Sequence, residues 1–238
     1  MEYLSKIKFN DLKELNISEG EITNIKSLKS INFKNLESLF ITISQIKDII
    51  ILKKVYFKYL KKLCLNKNHI PDINVLEDVN FKYLEILDLG FNRISDINVL
   101  ENVNFNELKE LHLNNNNIYD INVFEKVNFK NLKILFLDNN QISDMRVFEK
   151  VNFKELIELG LGNNKISDIT VLEKVNFKNL KILDLIVLDL YNNQISDITV
   201  FENIHLIALR RLYLDCNKFL DIPIFKKVAY PELDILSL

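Results

Sequence analysis

Glycine and proline are scarce, four and three in 238 residues, and tryptophan is absent. Hairpin turns draw on glycine for positive φ and rigid corners draw on proline, so a fold built on many such turns is excluded. Some other residue must make the bends. Two cysteines are too few for a disulfide framework, and two unpaired thiols fit a reducing compartment. No apolar run approaches the ~18–20 residues that cross a bilayer, and Met1-Glu2-Tyr3-Leu4-Ser5-Lys6 lacks the apolar core of a secretory signal. The expected address is therefore cytoplasmic, with no membrane partner. Charge of one sign is lacking too: 31 basic residues face 33 acidic ones, a net charge of −2. Nothing pulls on a phosphate backbone, and nucleic acid is not an expected partner. What is present is 48% hydrophobic and 27% charged residues, the balance of a chain that folds.

The chain is periodic from end to end. Phe9, Phe33, Phe57, Phe81, Phe105, Phe129, Phe153 and Phe177 recur every 24 residues; the next equivalents, Leu206 and Tyr230, follow after 29 and 24. Nine units, one five-residue insertion near 184–190 and a partial tenth unit make residues 1–238 one repeat array. The unit reads F-x-x-L-x-x-L-x-L-x-x-N-x-I-x-D-I-x-V-[LF]-E-x-V-N, with Asn68, Asn92, Asn116, Asn140, Asn164, Asn193 and Asn217 in register.

The spacing of Leu84, Leu87, Leu89, Asn92 and Ile94 resembles the leucine-rich-repeat signature, and Asn-x-Ile-Ser-Asp-Ile at 92–97, 164–169 and 193–198 is similar to the internalin and phosphatase-regulator type. The unit is longer than usual, and Val99, Val123, Val147, Val171 and Val200 stand where internalins commonly place proline. The resemblance implies an α/β fold, a right-handed horseshoe solenoid with a concave parallel β-sheet and short convex helical or 3-10 turns.

The residues support the same architecture independently. Paired leucines two apart point to one side of a short strand, and each unit can bury them only against its neighbours. An inward asparagine can satisfy the backbone groups of the bend, and the Asp column from Asp48 to Asp221 is placed to cap a short convex helical turn. The phenylalanines should stack as a spine, with Val79, Val103, Val127, Val151 and Val175 beside them. Glu77, Glu125, Glu149 and Glu173, five residues before Lys82, Lys130, Lys154 and Lys178, suggest acidic and basic columns side by side. The duplicated phrase Ile182-Leu183-Asp184-Leu185 and Val187-Leu188-Asp189-Leu190 leaves two candidates for one strand.

Chemistry has little to stand on. His69, His112 and His205 fall at three different repeat positions, and no nucleophile, base and pocket come into register, so no enzyme is expected. Cys64 and Cys216 lie six strand spacings apart, about 29 Å, beyond disulfide reach. Calcium on the Asp ladder would need ~6–8 oxygen ligands and glycine-rich turns that are missing. No metal and no cofactor are expected.

Core positions repeat while the outward strand positions change from unit to unit, as a recognition surface requires. Phe40, Asp88, Phe91, His112, Phe136, Asp138, Tyr191, Tyr213 and Asp215 are the candidate partner-binding residues, a mildly acidic, aromatic set. The expected function is binding another protein through the concave face. Two alternatives stand beside it: self-association through the C-terminal edge after Leu233, Leu236 and Leu238, and service as the recognition part of a larger effector.

Overall fold

The computed structural model describes residues 11–31, 33–174, 185–204, 206–220, 224–225 and 230–238. Phe9, Val175, Phe177, Lys178, Ile182, Leu183, Asp184, His205 and Asp221 lie outside them. Ten three-residue strands form one parallel sheet in sequential order: β1 Glu14–Asn16, β2 Ser38–Phe40, β3 Lys62–Cys64, β4 Ile86–Asp88, β5 Glu110–His112, β6 Ile134–Phe136, β7 Glu158–Gly160, β8 Val187–Asp189, β9 Arg211–Tyr213 and β10 Ile235–Ser237. The register is continuous, Asn16 pairing with Phe40, then Cys64, Asp88, His112, Phe136, Gly160, Asp189, Tyr213 and Ser237. The second copy of the duplicated phrase thus forms the strand after the insertion.

Strand alternation sends Leu39, Leu63, Leu87, Leu111, Leu135, Leu159, Leu188 and Leu212 inward, all buried. On the opposite side the chain makes 3-10 turns such as Asn98–Glu101 and Asn122–Glu125, then two four-residue α-helical turns, Val171–Lys174 and Val200–Asn203. A three-residue strand and a helical turn of four or five residues leave the rest of each unit as bends, and a run of buried apolar residues closes each coil between them. Phe33, Phe57, Phe81 and Phe105 stack with ring centroids 5.5, 6.1 and 6.4 Å apart, and Phe129 and Phe153 continue the buried column. This is the horseshoe leucine-rich-repeat architecture, open rather than closed into a barrel.

The Asn column does the joining. Asn116 Nδ2 donates to Leu89 O of the preceding coil at 3.0 Å and to Leu113 O of its own at 3.1 Å, while its Oδ1 accepts the Ile94 N–H at 2.9 Å. Asn68, Asn92, Asn140, Asn164 and Asn193 repeat the pattern. One side chain satisfies backbone groups of two successive bends, so the ladder is both turn and staple.

The residue before each ladder position takes a left-handed backbone: Glu19, Ile43, Lys67, Phe91, Asn115, Asn139, Asn163, Asn192 and Cys216, with φ between 47° and 60°. Sequence reasoning did not find this column. Its signal is the double asparagine at 115–116, 139–140, 163–164 and 192–193, since asparagine tolerates this region.

Two expectations are refined. The Asp column does organise the helical turns, but from one residue further out. Asp72 and Asp96 accept the first helical N–H, of Asn74 and Asn98, at 2.7 and 2.8 Å, while Ile73 and Ile97 occupy the N-cap position itself. The acidic and basic columns pair between coils rather than along the chain. Glu125 holds Lys150 at 3.1 Å and Glu101 holds Lys126 at 2.8 Å, because stacking sets residues about one repeat apart side by side.

Candidate functional site

Three outward columns cover the concave face, and the sequence determines what each coil presents there. In the middle column Phe40, Asp88, His112, Phe136, Asp189 and Tyr213 stand on β2, β4, β5, β6, β8 and β9, half-buried by their neighbours. His112 packs edge-on to Phe136, centroids 5.0 Å apart, and its Nε2 lies 3.3 Å from Glu110 Oε2. Asp88 accepts the Gly90 N–H at 3.0 Å; burial pushes its carboxyl up, opposed by that bond and by His112 beside it. Burial also drives the Cys64 thiol up to about 12, with Asp88 adding to it, so this cysteine is a packed thiol rather than a nucleophile.

The next column carries Asp138, Tyr191 and Asp215. Asp138 Oδ1 accepts the Gly162 N–H of the following coil at 2.9 Å. Its carboxyl is raised to about 6, first by burial and also by the charge of Asp189. Asp189 accepts the Tyr191 N–H at 2.8 Å and is itself raised by burial, with Asp215 contributing. The Tyr191 phenol is pushed up, chiefly by the Cys216 thiol beside it. Phe91 stands at the rim in the left-handed column, 46% exposed, with Lys67 Nζ 5.5 Å from its ring centre.

The structure brings the predicted residues into two groups. Asp88, His112 and Phe136 are consecutive on the sheet; Asp138, Asp189, Tyr191, Tyr213 and Asp215 surround β7 to β9. Phe40 lies two strands before Asp88, and Phe91 flanks the face rather than standing on it. Sequence reasoning passed over Gly160 and Gly162. A methyl at Gly160 would collide with the Asp138 carboxylate, and one at Gly162 would lie 2.9 Å from Asp189 Oδ1. Glycine inside a strand pattern signals such close approach. Among the described residues no group of three or more His, Cys, Asp and Glu is placed to hold a metal ion. Nor is any described helix long and apolar enough to cross a membrane.

Comparison with known proteins places this geometry. Residues 106–150 match the family model for leucine rich repeats in two copies. No curated protein sequence matches the chain significantly. Among solved structures, the chain is similar to an internalin from Listeria monocytogenes (27% identity, TM-score 0.73, covering 93% of this chain and 65% of the internalin). It is also similar to a leucine-rich-repeat protein from Leptospira interrogans (26% identity, TM-score 0.73, covering 98% and 62%). A plant peptide hormone receptor in complex with RGF2 shares the fold at 18% identity and a TM-score of 0.61, over 87% of this chain and 36% of the receptor. The chain thus spans about two thirds of the two bacterial proteins. Proteins of this architecture are generally binding modules rather than enzymes. With the repeat signature, the cross-coil asparagines and these relatives in agreement, the chain is a leucine-rich-repeat protein with internalin-like relatives.

Proposed function

We propose that the protein binds a protein partner through its concave sheet. One observation carries the reading. Down each inward column the side chains are leucine after leucine, whereas the outward column paired in the same register runs Asn16, Phe40, Cys64, Asp88, His112, Phe136, Gly160, Asp189, Tyr213, Ser237. Folding constrains the first and leaves the second free to encode a surface. Phe136 and Tyr213 supply large rings of the kind that dominate interfaces, and Asp138, Asp189 and Asp215 bias the face toward a basic partner. Two thiols, Cys64 on β3 and Cys216 beyond β9, support an intracellular address.

Affinity capture from host lysate tests this, comparing the wild type with Phe136→Glu/Tyr213→Glu. The expected result is a protein retained by the wild type and lost by a variant with unchanged circular dichroism. Retention by both moves the site off this face.

A further inference from the structure

We propose that the flank of coils three and four, centred on Lys54, Tyr56, Lys58 and Tyr59 with Lys82 and Tyr83 beside them, docks an extended acidic segment of a protein partner. The surface shares no residue with the concave contacts and does not depend on them. Charge is the first observation. In a chain of net charge −2, the stretch between Asp48 and Asp72 holds Lys53, Lys54, Lys58, Lys61, Lys62 and Lys67 and no acidic residue, whereas the next coil, 73–95, holds four acidic and two basic ones. Lys53 even fills the place that Glu77, Glu101, Glu125, Glu149 and Glu173 hold in later coils. The described ion pairs take Lys53 to Asp78 and Lys61 to Glu37, and none includes Lys54, Lys58 or Lys82. Among the described residues, these three exposed ammonium groups have no carboxylate against them.

The second observation is a cluster of exposed rings that folding does not require. Tyr56 is 69% exposed, and the same place in later coils holds Asn80, Asn104, Asn128 and Asn152. Tyr59 and Tyr83 are exposed as well, and their column continues as Glu107, Asn131 and Glu155. The two rings stack with centroids 6.2 Å apart; Lys58 Nζ lies 4.9 Å from the Tyr59 ring centre and Lys82 Nζ 5.4 Å from that of Tyr83. Each ring of the pair already has a ring and an ammonium group against it, which leaves little face for a nucleobase or a sugar. Ammonium groups and phenol hydroxyls remain to meet an anion, and both donate to a carboxylate. Carboxylates also set the width. Asp78 holds the Lys54 position in the next coil, Glu37 and Glu85 stand just before β2 and β4, and Glu107 ends the tyrosine column. Between them lies a strip about 10 Å wide, two strand spacings, which fits one extended chain. A duplex or a bilayer would press on the carboxylates too.

The test is a nitrogen-15 titration of the whole chain with acetyl-hexaglutamate-amide at two salt concentrations. The expected result is a saturable shift centred on the amides of Tyr56, Lys58, Tyr59, Lys82 and Tyr83, weaker at the higher salt. Lys54→Gln/Lys58→Gln/Lys82→Gln should weaken binding at least about tenfold, and Tyr59→Ser/Tyr83→Ser should weaken it less. All five positions are exposed, so both variants should fold, and circular dichroism checks this. Hexaglutamine, uncharged at the same length, should shift nothing. Shifts spread equally over Lys130 and Lys154, which continue the Lys58 column without tyrosines, would overturn the proposal. So would equal binding of hexauridylate, or co-sedimentation of the chain with phosphatidylcholine–phosphatidylserine vesicles, because the occupant would then be a nucleic acid or a membrane. Phe136→Glu/Tyr213→Glu keeps this surface apart from the concave one. If that variant leaves the peptide shifts unchanged, the flank stands whatever the capture experiment finds; if it abolishes them, the acidic segment lies on the sheet and the flank falls.

Discussion

Ile43 occupies the left-handed column with φ 51° and is 47% exposed, so its strain is offset by little burial. A β-branched residue there costs about 1–2 kcal/mol that asparagine largely avoids. Ile43→Asn should therefore stabilise the protein, by about 0.5–1 kcal/mol, read from the urea midpoint at unchanged m-value. Phe91→Asn makes the same backbone exchange at a candidate contact residue. It should raise stability and, if Phe91 touches the partner, weaken capture, two effects that a purely structural role cannot combine. Asp138 gives the opposite kind of test, because its folded pKa, about 6, lies above the ordinary value of 3.8. The folded state then binds the proton more tightly than the unfolded one. The penalty is fully present above about pH 6 and disappears as pH falls toward 3.8. Asp138→Asn should stabilise by up to about 3 kcal/mol near pH 7 and by little near pH 4, a difference that urea titrations at the two pH values measure.

At the scale of the coil, the asparagine ladder carries the largest single-residue stake. Asn116→Ala strips Leu89 O, Leu113 O and the Ile94 N–H of their side-chain partner in a buried bend. At about 1–3 kcal/mol for each unsatisfied group, the loss should reach roughly 3–5 kcal/mol. Because coils touch only their neighbours, the damage should be local, and chemical unfolding should change from one transition to two as the array divides near coil five. The exposed Lys126–Glu101 and Lys150–Glu125 pairs belong to the same level but contribute little individually. Much of the coil was legible in the chain: strand, asparagine bend and phenylalanine spine each follow from period and residue type. The left-handed column was not, because Ile43, Lys67 and Phe91 are poor formers of that conformation and mask the asparagines that fill it later in the array. The partners of Glu101 and Glu125 were hidden as well, since the stacking that joins residues 25 apart is invisible to local spacing.

The whole molecule is a line of coils in which a strand such as β6 is flanked on both sides and its Leu135 is sealed. Amide exchange should accordingly be slow across β4 to β7, and fast exchange there would contradict nearest-neighbour cooperativity. The same linearity makes the candidate site legible as columns but not as a site. Spacing alone shows that Phe136, Asp138, Asp189 and Tyr213 face outward. That Asp138 folds over Gly160 depends on the missing side chain of the next coil, and which of the two duplicated phrases supplies Asp189 depended on how the insertion was absorbed.

The asparagine bonds also have a direction in time. Each coil's bend is completed from the coil after it: Ile94 waits for Asn116, twenty-two residues downstream. On a ribosome delivering about 5–20 residues per second, every newly emerged bend stays open for about one to four seconds until its successor arrives. At the insertion the interval lengthens, since Ile166 is served by Asn193, twenty-seven residues on. Nascent chains arrested just before Asn193 should thus expose a bend at Ile166 that chains arrested a few residues later have closed, which makes this array a clock whose one slow tick falls where the repeat was broken.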